Sequence, residues 1–229
     1  VTRTRIEAWT AVAMAWCAGF VDVACYYRLA RTYTSHMTGT TASIAEGLGH
    51  GDWGDVGKFS CALLSFLAGL VLSATLQHVE RRQGIRSAYA GVLAIEILLL
   101  AAFIPLSGIR GAPLPLLIFL PAAAMGMQTV TIRQVGRLRV YTTYLTGNLS
   151  KFSESVTACF FSDRDRAESF RHAAVTFGLW AAFLAGGWAG ISTATAWGAI
   201  ALLAPMAVLA ACIALDLRLP KALGDVPTR

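Results

Sequence analysis

The sequence predicts an all-α integral membrane protein. It reads as two inverted repeats, each of three transmembrane helices plus one short re-entrant or broken helix that starts at Thr-Gly. Three observations lead there. Of the 229 residues, 56% are hydrophobic and only 14% charged, where a soluble domain carries about 25% charged residues; the mean hydropathy is +0.59. Six apolar runs approach or exceed the roughly 20 residues that a helix needs to cross the hydrocarbon core. A polar nine-residue motif occurs twice between them. This composition excludes a disordered chain, which would be polar and charged, and leaves no room for a separate soluble domain.

Taken in order, the long runs are Trp9–Ala30, Gly57–Val79, Ser87–Leu106, Pro113–Ile132, Phe170–Ser192 and Ala196–Leu215. Two shorter and more polar stretches, Thr38–Gly49 and Thr146–Phe161, interrupt the series. Each begins with Thr-Gly and carries Ser, Thr and a Glu.

The duplication explains the order. Residues 31–39 read RTYTSHMTG and residues 139–147 read RVYTTYLTG, an offset of 108 at every position. Arg31/Arg139, Tyr33/Tyr141, Thr34/Thr142, Thr38/Thr146 and Gly39/Gly147 are identical, Ser35 and Thr143 both carry hydroxyls, and Glu46 falls on Glu154. Downstream, Phe66-Leu67-Ala68-Gly69 returns as Phe183-Leu184-Ala185-Gly186. Upstream, Gly19 matches Gly126 with one residue inserted. The matched residues are mostly polar or Gly, which chance similarity between apolar segments does not produce. The chain divides into repeat 1 over 1–108 and repeat 2 over 109–229.

Charge decides whether the short segments cross. Cytoplasmic loops are enriched in Lys and Arg. If all eight segments cross, the basic residues are spread almost evenly. If each Thr-Gly segment enters and returns on one side, fourteen Lys and Arg face one side and four the other. That bias favours six crossings, both termini in the cytoplasm and a place in the bacterial inner membrane. Three crossings per half is odd, so the halves have opposite orientation, a recurrent transporter and channel design with its site near the midplane. The net charge of +6 is a topology signal and implies no nucleic-acid partner.

Broken backbone inside a bilayer is tolerated where it is buried in protein or lines a wet cavity. The N-terminus of a half-helix presents unpaired N–H groups and partial positive charge. Thr38 and Thr146 suit capping, and Gly39 and Gly147 allow close approach. With Thr40 and Asn148 they form a candidate substrate site for a small anion or the electronegative end of a neutral solute. Close helix packing is the structural alternative. Asp22 lies within the first run and is a functional candidate because ionisable residues are costly there; a structural hydrogen bond serves equally well. Its counterpart falls near Gln128 and Thr129. His36 titrates near neutral pH, whereas its partner Tyr144 does not. Glu96, Glu46 and Glu154 are candidates for coupling or gating. Five single cysteines, Cys17, Cys25, Cys61, Cys159 and Cys212, form no metal-ligand or disulfide pattern, so neither a metal nor a cofactor is expected.

Gly19-Phe20-Val21-Asp22, Met37-Thr38-Gly39-Thr40, Gly126-Met127-Gln128 and the run Thr142–Leu149 resemble the paired signatures of the YoaK-like family of bacterial multi-pass membrane proteins. The resemblance spans nearly the whole chain. It implies an inner-membrane protein and gives no substrate, since the family is named for its unknown function. Its members usually carry Asn after the Gln, where this chain has Thr129.

The sequence therefore points to a transporter or channel for a small solute or ion, with a small anion or weak acid as the guess. A proton- or cation-coupled carrier using Asp22 is one alternative, and a non-transport scaffold or accessory subunit another. An enzyme is not expected, because no HExxH or GxSxG motif is present. Beyond the lipid bilayer and the solute, a second copy of the chain is a candidate partner through Gly186-Gly187-Trp188-Ala189-Gly190, small residues that pack equally well within one subunit.

Overall fold

The computed structural model describes residues 3–82, 89–131, 134–135, 138–161 and 166–218. Ser87, Ile132 and the basic residues Arg86, Arg133, Arg137, Arg164, Lys221 and Arg229 lie outside them. The described chain forms α1 (Arg3–Tyr26), α2 (Met37–His50), α3 (Trp53–Arg82), α4 (Ala90–Leu106) and α5 (Leu114–Thr129). There follow a two-residue ribbon, β1 (Gln134–Val135) with β2 (Leu138–Arg139), then α6 (Leu145–Phe161), α7 (Arg166–Trp197) and α8 (Leu203–Arg218). Among the described residues each long apolar run of the sequence falls mostly on helix. The ribbon, with Gln134 opposite Arg139 and Val135 opposite Leu138, was not anticipated.

Local chemistry sets the boundaries. The first helix stops at Tyr26, four residues before the end of the apolar run, because Ala30 and Arg31 take φ of 50° and 61°, a left-handed turn that no helix continues through. Between α7 and α8 the apolar stretch is uninterrupted in sequence. Gly198 breaks it with φ of 63°, and a 3-10 turn over Gly198–Leu202 leads into α8.

Helices long and apolar enough to cross a membrane cover Arg5–Tyr26, Trp53–Glu80 and the α7–α8 stretch Arg166–Arg218, with α4 and α5 as shorter apolar helices. The outer surface is apolar: Leu64, Val71, Leu98, Leu184, Trp188 and Ile200 are exposed. The interior holds Asp22, Glu96, Gln128 and Asn148 at 0% exposure. That inverts the water-soluble distribution and is the arrangement of a protein whose outer solvent is lipid.

The helices pack in matched pairs. α1 runs along α7, and α3 runs along α5; α2 lies on α3, and α6 on α7; α4 and α8 pack on each other and on α5 and α1 respectively. Close approach is made by glycine. A Cβ on Gly19 would overlap the carbonyl of Phe183, and one on Gly126 the carbonyl of Phe66; Gly69 meets Ala123, and Gly186 meets Trp16, in the same way. Small residues let membrane helices gain dispersion contacts along their backbones. The two seams use equivalent positions of the duplicated sequence, so each half donates its first helix to the third helix of the other.

The ends of the helices also sort. Val12 and Val23 of α1 face Gly178 and Gly187 of α7, and Arg28 just past α1 faces Gly198 just past α7, so α1 and α7 are parallel. Cys61 Sγ reaches the Pro115 carbonyl at 3.6 Å, and Gln77 Nε2 donates to the Val130 carbonyl at 2.9 Å, so α3 and α5 are parallel too. Arg28 Nη1 donates to the Ser107 carbonyl at 3.3 Å, placing the end of α4 beside the end of α1. At the opposite end of the bundle, Tyr89 lies beside Thr10, and Glu80 lies by Gly91 and Asp216.

Candidate functional site

The chain after α1 turns back along it and is fastened to Asp22. This carboxylate is fully buried one turn from the end of the helix. Its Oδ1 accepts from the Thr34 N–H at 2.6 Å, the Thr34 hydroxyl at 2.8 Å and the Ser35 N–H at 3.0 Å. Its Oδ2 accepts from the Ser35 hydroxyl at 2.9 Å and pairs with His36 Nδ1 at 2.8 Å. Five contacts fill the roughly four lone-pair directions of a carboxylate. Asp22 is therefore an anchor for the segment that leads into α2, and the hydrogen-bonding role that sequence left open is the one it takes. His36 belongs to the connection, outside the crossing helices. The Asp22 carboxylate raises its imidazole above the ordinary value, opposed by partial burial. The ring also stacks near Tyr33, 4.6 Å between centroids, and meets Phe183 of α7 at 6.4 Å.

The second half repeats the geometry without the charge. Thr129 stands where the repeat places Asp22, and its hydroxyl meets the Thr143 hydroxyl at 2.7 Å; Thr143 corresponds to Ser35. Thr142, the counterpart of Thr34, is fully buried, and its hydroxyl has no partner among the described residues. Asn148 fastens the turn into α6 by donating from Nδ2 to the Tyr141 carbonyl at 2.7 Å, while its Oδ1 has no partner among the described residues. Gln128 donates to the Met14 carbonyl of α1, and its Oε1 likewise has no described partner. Lys151 Nζ lies 5.2 Å from the centre of the Tyr141 ring, which brings a cation to this turn. Its counterpart in the first half is Ser43.

The other expected site residues are placed differently. The short helices begin at Met37 and Leu145, one residue before each Thr, so Thr38 and Thr146 are not the caps. The N-cap of α2 is His36, with no side-chain cap bond. Thr38, Gly39 and Thr146 are exposed, and only Thr40 and Asn148 of each first turn are buried. Nothing lies within 4 Å of a Cβ on Gly39, while one on Gly147 would strike the exposed Tyr144 ring. Glu46 and Glu154 are exposed. Glu96 is fully buried in α4 and neither carboxylate oxygen has a described partner. Because α2 packs on α3 and α6 on α7, the two Thr-Gly segments do not pack against one another as a single central site. Asp22 lies toward the end of the bundle marked by Arg28 and Ser107, and Thr129 toward the end marked by Gln77. Among the described residues no group of three His, Cys, Asp or Glu could hold a metal ion.

Sequence reasoning passed over the hydroxyl pairs Thr34-Ser35 and Thr142-Thr143 in favour of Thr-Gly. The signal was present in the repeat, since hydroxyls recur at both positions.

Comparison with known proteins agrees with the membrane architecture. The chain is 28% identical over 155 residues to the UPF0700 transmembrane protein YoaK of Bacillus subtilis (strain 168), covering 67% of this chain and 69% of that one. No solved structure matches it. The family model described as a protein of unknown function (DUF1275) matches residues 10–215, nearly the whole helical bundle, and the chain belongs to that family.

Proposed function

We propose that this membrane protein is a transporter or channel for a small solute or ion, with a small anion or weak acid as its cargo, and that it is not an enzyme. Its repeats, 1–108 and 109–229, lie in opposite orientation with six crossings, α2 and α6 being re-entrant. Both termini face the cytoplasm across a bacterial inner membrane.

One observation carries the reading. Each Thr-Gly helix hangs from the end of the preceding long helix, and the two lie toward opposite ends of the bundle. The end of α1 shares its end of the bundle with the starts of α3 and α5, since Arg28 meets Ser107 and Cys61 meets Pro115. A segment joining two helix ends on one side has not crossed. The same holds for α6, because α5 ends beside Gln77 of α3 and α7 begins at the end of the bundle where α1 begins. Paired re-entrant helices entering from opposite faces are the architecture of carriers and channels. Buried Gln128 Oε1, Thr142 Oγ1 and Asn148 Oδ1, without a partner among the described residues, support a polar cargo. The anion preference is supported by the unpartnered Thr142 hydroxyl at the turn into α6, since the equivalent donors before α2 are already taken by the Asp22 carboxylate.

Flux in proteoliposomes tests this. Vesicles holding the full chain are expected to take up a small monocarboxylate or inorganic anion faster than protein-free vesicles. Folded protein that moves no anion, weak acid or small metabolite overturns it.

A further inference from the structure

In the first half the chain shows what its own motif binds. Thr34 and Ser35 present two backbone N–H groups and two hydroxyls, and all four are taken by one carboxylate, that of Asp22. The second half carries the same element at an offset of 108, with Thr142 and Thr143 in place of Thr34 and Ser35. The carboxylate is missing, because Thr129 replaces Asp22. The Thr129 hydroxyl donates to the Met125 carbonyl at 2.8 Å within its own helix and meets the Thr143 hydroxyl at 2.7 Å, so it serves Thr143 but not Thr142. The Thr142 hydroxyl is left fully buried with no described partner, and an unmade bond on a buried hydroxyl is destabilising. Lys151 stands near the same turn, its Nζ 5.2 Å from the centre of the Tyr141 ring.

We infer that the turn at Thr142-Thr143, closed by Thr129, is a binding site for a small external monocarboxylate, which takes the position that the Asp22 side chain fills in the other half. The inference rests on the transport reading for its purpose and not for its geometry. The ligand accepts from the Thr142 hydroxyl and from the backbone N–H groups beside it, while the Thr143 hydroxyl donates to Thr129, whose own proton goes to the Met125 carbonyl. Its size is bounded by the stand-in: the Asp22 carboxylate with its methylene is a tethered acetate.

The test is thermal unfolding of the full chain in detergent, titrated with sodium acetate against sodium chloride at matched ionic strength. Acetate is expected to raise the melting temperature of the wild type saturably. Thr129→Asp is expected to melt higher than wild type without acetate and to lose the response, because its own carboxylate now fills the turn. Thr142→Val is expected to weaken the acetate response at least tenfold without raising the melting temperature. If Thr129→Asp does not fold, Thr142→Val decides alone. An acetate response equal in wild type and Thr142→Val, or no response in the wild type, overturns the site. Acetate binding without flux would sink the transport reading and keep the site. Flux of acetate at the wild-type rate in Thr129→Asp would sink the site and keep transport.

Discussion

Asp22 Oδ2 and His36 Nδ1 stand 2.8 Å apart, joining the last turn but one of α1 to the residue that precedes α2. The imidazole is raised above its ordinary value of 6.5, first by its hydrogen bond to Asp22. A raised histidine stabilises the fold fully below that ordinary value, and the contribution is lost as pH rises through the raised one. The melting temperature in detergent should therefore fall as pH climbs through and above neutrality. His36→Gln should remove that slope. The ring is 49% exposed, so solvent screening keeps the effect modest. A wild-type slope identical to that of His36→Gln would contradict the pairing.

Removing the anchor should cost more in the first half than in the second. Asp22→Ala strands the donors of Thr34 and Ser35, with an expected loss of about 3 kcal/mol, given about 1.5–3 kcal/mol for each hydrogen bond to a charged group and partial relaxation. Thr129→Ala removes two neutral bonds, one to the Met125 carbonyl within its own helix and one to the Thr143 hydroxyl, and should cost about 1–2 kcal/mol. Hydrogen exchange is expected to accelerate across residues 34–40 in the first variant and only slightly across 142–148 in the second. Equal effects would mean that the two turns are held by something other than these side chains.

The glycine seam predicts a sharp contrast among alanine substitutions. Gly19→Ala and Gly126→Ala each drive a methyl into a carbonyl of the facing helix, and overpacking of this kind costs about 1–3 kcal/mol. Gly39→Ala meets nothing and lies in a helix, where Ala is favoured by about 1 kcal/mol. Melting temperatures should fall for the first two and hold or rise for the third.

Accessibility labelling checks the path of the chain. In a cysteine-free background, Arg31→Cys and His50→Cys should react with an impermeant maleimide from the same side of the membrane, and Phe161→Cys from the opposite side. Reaction of positions 31 and 50 from different sides would make α2 a crossing.

Neither carboxylate oxygen of Glu96 has a partner among the described residues. Glu96→Gln keeps the shape of the side chain and should change stability by less than about 1 kcal/mol, while Glu96→Ala opens a gap in the core and should cost about 2 kcal/mol or more. A large loss in the amide variant would reveal a partner for the carboxylate.

Much of the fold was legible because membrane helices announce themselves by length and apolarity. The start of each short helix, at Met37 and Leu145, follows the 108-residue offset of the motif. The candidate site was harder to read. Thr38 and Gly39 stand out in sequence because a hydroxyl beside glycine breaks an apolar pattern, yet both are exposed, while α2 packs on α3. Thr34 and Ser35 matter more, and their importance depends on a contact to Asp22, twelve and thirteen residues earlier. Periodicity does not report that contact. The ribbon over residues 134–139 escaped notice because two-residue strands carry no alternation to detect.

The exchange of partners between halves bears on how the protein is made. As the chain emerges from the ribosome, α1 enters the lipid more than a hundred residues before α7 exists to cover its glycine face. Its fully buried carboxylate, Asp22, does not wait as long, because the next fourteen residues bring Thr34, Ser35 and His36. The polar tether can close first and hold α1 in register, and the backbone-to-backbone seam is zipped only when synthesis is nearly complete.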